Sequence, residues 1–83
     1  MSRFQMPQHQ VDQAAAAVRE AGATPALVEL VAAAFEGVAE GAEQASRIYP
    51  DLRISMTDVA SMLRAERDAY QQVADEMRKG GQP

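Results

Sequence analysis

His9 is the only histidine in the chain, and there is no cysteine. Nucleophilic catalysis needs a Ser, Thr or Cys beside a base, and His9 is the only imidazole that could serve. It stands among Gln and Pro residues with no partner in sequence, as a solvated side chain does. A carboxylate-bridged metal centre in a helical bundle needs Glu-x-x-His pairs besides its other Glu ligands, and no Glu here has His three residues later. Gly37 and Gly41 do not make a phosphate loop, because no Lys-Ser or Lys-Thr follows them. No catalytic, metal-ligating or cofactor-binding residue is assigned, no cofactor is expected, and the chain reads as a non-enzyme.

The remaining chemistry is electrostatic. Glu29, Glu36, Glu40 and Glu43 fall within a wedge of roughly 60° on a helical wheel. The expectation is a solvated acidic face, able to steer a basic protein partner. Glu66 is the odd residue. It lies within an otherwise apolar stripe, where a carboxylate must reach water at a rim or be paired. A paired Glu66 would act as a polar device fixing helix register.

Three helical segments position these groups. Residues 1–7 read as a loose lead-in. Residues 8–21 are rich in Ala, with Val11, Ala14, Ala15 and Val18 on one face and Gly22 as the stop. Thr24 and Pro25 open the second helix as cap and first residue. Over residues 25–49 its apolar side is Leu27, Leu30, Val31, Ala34, Phe35, Val38, Ala42, Ala45, Ile48 and Tyr49, opposite the acids. Gly37 and Gly41 extend a small-residue row with Ala33 and Ala45, which predicts a kink or a close helix crossing. Pro50 ends this helix. Ser55 and Asp58 suggest a capping box that starts a third helix over residues 56–79. Its seam is Val59, Leu63, Glu66, Tyr70, Val73 and Met77, with Met56 and Met62 beside it. Gly80 and Gly81 end it, and 80–83 read as a frayed tail.

The expected fold is all-α. Two long helices form an antiparallel hairpin, with a short N-terminal helix lying over part of it. A chain of 83 residues buries only about 60% of its unfolded surface, and the short helix is mostly Ala. Part of the groove should therefore stay open, and a second copy would complete the bundle. The expected interface is Leu27, Leu30, Val31, Phe35, Val38, Val59, Met62, Leu63, Glu66, Tyr70, Val73 and Met77. A homodimer or other homo-oligomer is the expected assembly, acting as an adaptor, assembly factor, chaperone-like factor or small inhibitor.

Composition narrows the alternatives. The formal net charge is −4, from 8 Lys and Arg against 12 Asp and Glu, which argues against general nucleic-acid binding. Residues 57–63 have the look of the first helix of a helix-turn-helix, with Arg47, Arg53, Arg64 and Arg67 as candidate phosphate contacts. A small DNA-associated regulator is thus the alternative, alongside an accessory subunit of an enzyme complex. Residues 64–68 offer no turn, however, and Asp68, Asp75 and Glu76 would repel phosphate. No cleavable leader or membrane-length apolar run is visible, so a cytoplasmic location is expected.

Overall fold

The computed structural model describes residues 5–80, and among these there is no strand. The elements are α1 (Gln8–Glu20), α2 (Pro25–Ile48), a single 3-10 turn (Pro50–Leu52) and α3 (Arg53–Gly80). The fold is an antiparallel hairpin of two long helices with a short N-terminal helix. Of the lead-in expected at 1–7, residues 5–7 are described and lie outside any helix. Of the tail expected at 80–83, Gly80 is instead the last residue of α3, and 81–83 lie outside the described residues.

Each helix end has a local cause. Pro7 flanks α1, and its carbonyl accepts from the Gln10 and Val11 N–H groups at 3.0 and 3.2 Å. α1 closes in a Schellman motif. Gly22 takes φ +88°, the Gly22 N–H donates to the Arg19 carbonyl, and the Ala23 N–H donates to the Val18 carbonyl, both at 2.9 Å. The Thr24 hydroxyl accepts from the Leu27 N–H at 3.2 Å, and Pro25 is the first residue of α2.

The connection between α2 and α3 is shorter than the sequence suggests. Pro50 does stop α2, and it also begins the next helical turn, where its fixed φ is suited and its missing N–H costs nothing. The Leu52 N–H donates to the Tyr49 carbonyl at 2.9 Å, and the chain enters α3 at Arg53. Ser55 is therefore the third residue of α3 and is no cap, so the capping box does not form. α3 then runs unbroken through residues 64–68, and the helix-turn-helix has no turn.

α2 and α3 meet along small side chains. Ala32 and Ala39 of α2 and Ala60 and Ala74 of α3 are all buried. The α3 contact line is 60, 64, 67, 71, 74 and 78, about 100° round the helix from the expected line. This rotation turns Val73 and Met77 towards α1. Val73, Ala74 and Met77 form the core with Ala15 of α1 and Val28 of α2, and Ala14, Val18, Ala23 and Tyr70 pack against it. α1 is tied to α3 by polar bonds as well. The Arg19 guanidinium donates to the Glu76 and Met77 carbonyls at 3.3 and 2.9 Å, and the Gln8 amide donates to Glu76 at 2.9 Å. No single helix among the described residues is long and apolar enough to cross a membrane.

Candidate interaction surface

The two flanks of the α2–α3 contact have opposite character. On one flank lies a row of ion pairs. Arg64 donates to Glu43 at 2.7 and 2.9 Å and to Glu36 at 3.1 and 3.2 Å. Arg67 reaches both Glu36 and Asp68, the latter at 2.7 and 2.9 Å. Arg78 grips Glu29 through both terminal guanidinium nitrogens, and the Gln71 amide donates to the same carboxylate at 3.1 Å.

The acidic stripe is therefore not the free outer face expected of it. Glu29, Glu36 and Glu43 are half-buried and face arginines of α3; Glu40 alone of the four is exposed and outside these pairs. The physical reason lies in spacing. Residues 29, 36 and 43 recur every seven, and so do Arg64, Gln71 and Arg78 on the antiparallel helix. Opposite charges in matching rows zip together when the helices align. The carboxylates respond accordingly. Hydrogen bonds from Arg78 and then Gln71 hold Glu29 down to about 2. Arg64 holds Glu36 and Glu43 below the ordinary carboxylate value, with Arg67 adding to the effect at Glu36. Arg64 and Arg67 are also spent on this row rather than presented to phosphates.

The other flank is apolar. Phe35 and Tyr70 stack across it, ring centroids 5.3 Å apart and planes 19° from parallel. The stack brings the 31–35–38 line of α2 beside the 59–63–70 line of α3. Of the expected interface, Leu27, Leu30, Val31, Val38, Val59 and Met62 are exposed, Leu30 and Met62 by 66% and 69%. Phe35, Leu63 and Tyr70 are half-buried. Val73 and Met77 are instead buried inside the chain under α1. Ile48, Tyr49, Leu52 and Ile54 extend the exposed apolar set to the hairpin tip. Sequence reasoning left Leu52 and Ile54 out of the apolar set because the turn was placed there.

Glu66 is exposed at the rim of a cleft of about 320 Å³ between α1 and α3, lined also by Met6, Ala14, Ala17, Val18, Ala69, Tyr70 and Val73. It reaches water rather than sitting in a seam. His9 is exposed. Among the described residues, no three of His, Asp and Glu cluster as a metal site. Gly37 and Gly41 lie within unbroken α2, and a Cβ at either would meet nothing within 4 Å. The close crossing expected of the small-residue row is not made with α1 or α3.

No family model matches this chain, and no curated protein or solved structure matches it either.

Proposed function

We propose that this chain is a non-catalytic helical interaction module that associates with a second copy of itself through the apolar flank of the hairpin. The observation that carries this reading is the set of exposed side chains Leu27, Leu30, Val31, Val38, Val59 and Met62 on a molecule whose Glu29, Glu36 and Glu43 are already paired with arginines of α3. Fully burying a Val, Leu or Met stabilises by about 1.5–3 kcal/mol, so at their exposures these six leave roughly 5–10 kcal/mol per chain unrealised. A dimer realises that twice, against an association cost on the order of 4–15 kcal/mol.

The shape supports the same conclusion. The extents are 51 × 21 × 18 Å, and 18–21 Å is about two helix diameters. The radius of gyration is 14.9 Å, against roughly 12 Å for a compact domain of this length. Internal pairing of Glu29, Glu36 and Glu43 leaves little of the acidic stripe for a basic partner, which favours self-association.

The test is absolute mass by light scattering behind a sizing column, across a range of concentrations. The expected mass is twice 9.0 kDa. The double variant Leu30→Glu, Val38→Glu should run as a monomer with unchanged helicity, because both residues are exposed in the single chain. A wild-type monomer at every concentration would overturn the proposal.

A further inference from the structure

Glu66, Ala69, Tyr70 and Val73 stand at i, i+3, i+4 and i+7, so they share one stripe of α3. Ala14, Ala17 and Val18 repeat the start of that spacing on α1 and face them across the cleft of about 320 Å³, with Met6 also lining it. The walls are held without any ligand. Val73 is buried in the core, Tyr70 is stacked on Phe35, and the Met6 N–H donates to the Gln72 side-chain oxygen at 2.7 Å.

One charge borders this apolar space. Among the described residues Glu66 is the only charged side chain lining the cleft, and its carboxylate makes no ion pair or hydrogen bond with any of them. Glu29, Glu36 and Glu43, by contrast, each have an arginine. A neutral ligand covering the mouth would strip water from the Glu66 carboxylate and return no hydrogen bond. An anionic one would be repelled, the more so by a chain of net charge −4. A cation with an apolar body suits both the walls and the carboxylate. The Tyr70 ring, one helical turn from Glu66, is a second group that attracts cations.

We infer that the cleft binds a small hydrophobic ammonium ion, its apolar body between α1 and α3 and its cationic head at Glu66. The volume of about 320 Å³ sets the size. It lies at the lower end of the ~300–1,000 Å³ range of small-molecule sites. At about 30 Å³ per water it has room for on the order of ten waters, which matches a single ring or a short alkyl chain bearing an amine. The site is separate from the self-association surface, since none of Leu27, Leu30, Val31, Val38, Val59 and Met62 lines it. Its test therefore does not depend on the oligomeric state.

The probe is phenethylamine, titrated into the full chain and followed by backbone amide NMR shifts. Saturable shifts should cluster on residues 14–18 of α1 and 66–73 of α3. Phenethyl alcohol has the same body without the charge and should bind about threefold more weakly, the scale of one part-solvated ion pair. Hydrocinnamate, the matching anion, should not bind. Glu66→Gln should bring the amine down to the level of the alcohol and leave the alcohol unchanged. The fold should tolerate it, because this carboxylate is exposed and unpaired among the described residues. Ala17→Leu, at an exposed position on the α1 wall, should fill the cleft and abolish binding of both probes while helicity holds. Equal affinity for amine and alcohol overturns the cationic class, and so does an amine that binds Glu66→Gln as it binds the wild type. No saturable shift overturns the site, as do shifts spread over the exposed acids Glu40, Asp51 and Asp58.

Discussion

At the scale of single residues, Arg64 is the hub of the hairpin. It bonds two carboxylates one heptad apart, Glu36 and Glu43, while Arg78 holds only Glu29. Replacing Arg64 with Met keeps much of the aliphatic stem and removes the charge. Glu43 then loses its guanidinium partner and Glu36 keeps only Arg67. Arg64→Met should lower the urea midpoint more than Arg78→Met, and the gap should narrow at high salt because these side chains are only part-buried. The same pairs set a pH response. Glu29, Glu36 and Glu43 have native pKa values below the ordinary 4.5, with Glu29 at about 2. The unfolded chain therefore binds more protons in this range than the native chain. The stabilisation is complete above about pH 4.5 and is lost as pH falls through the native values, with the Glu29 share going last. Urea midpoints should be flat from pH 7 to 5 and fall from there towards pH 2. Glu29→Gln should flatten the lowest part of that fall, and a midpoint independent of pH down to 2 would show that the row contributes nothing.

At the scale of elements, α2 and α3 approach closely because alanines line their contact. Ala39 and Ala74 have no exposed surface, so Ala39→Leu should cost about 1–3 kcal/mol through overpacking, measured by denaturant unfolding. α1 is held differently, by a few small side chains and by Arg19. Its guanidinium reaches the Met77 carbonyl, one of the last four of α3, which find no partner within the helix. Arg19→Ala should speed amide exchange in α1 about tenfold, the scale of one charge-assisted hydrogen bond. Exchange in α2 should barely change. These arrangements differ in how far the chain announces them. Thr24-Pro25 and Gly22 mark the breaks between α1 and α2, because caps and stops are local chemistry. The start of α3 is hidden, since Pro50 looks the same when it stops one helix and when it opens the next. The face of α2 is misread for a related reason. The widest apolar stripe is expected to pack on α3 and on a second copy together, but the hairpin closes on the narrower line of Val28, Ala32 and Ala39. The usable signal was the pair of seven-residue rows, acidic in α2 and basic in α3, which fixes both the register and the side that closes. The broad stripe of Leu27, Leu30, Val31 and Val38 is legible as a surface to be covered, and the shortness and Ala content of α1 already indicate that it leaves part of the hairpin open.

At the scale of the whole molecule, charge and apolar surface are segregated, and that segregation makes salt a diagnostic. Each chain carries a formal net charge of −4, so two copies repel at long range. The Debye length falls from about 30 Å at 0.01 M salt to about 3 Å at 1 M, which removes most of that repulsion. The proposed contact is apolar, and added salt leaves it intact. Dimerisation should therefore tighten as salt rises over this range. The hairpin responds the other way, because its ion pairs are screened by the same salt. Protein diluted well below its dimer dissociation constant should thus unfold at a lower urea concentration in high salt, while concentrated protein shows a larger fraction of dimer. An association mediated by exposed acids and bases would instead loosen with salt. Sedimentation velocity at three salt concentrations separates the two, and a dimer that dissociates as salt rises would place the contact on the charged flank rather than on the open face of α2.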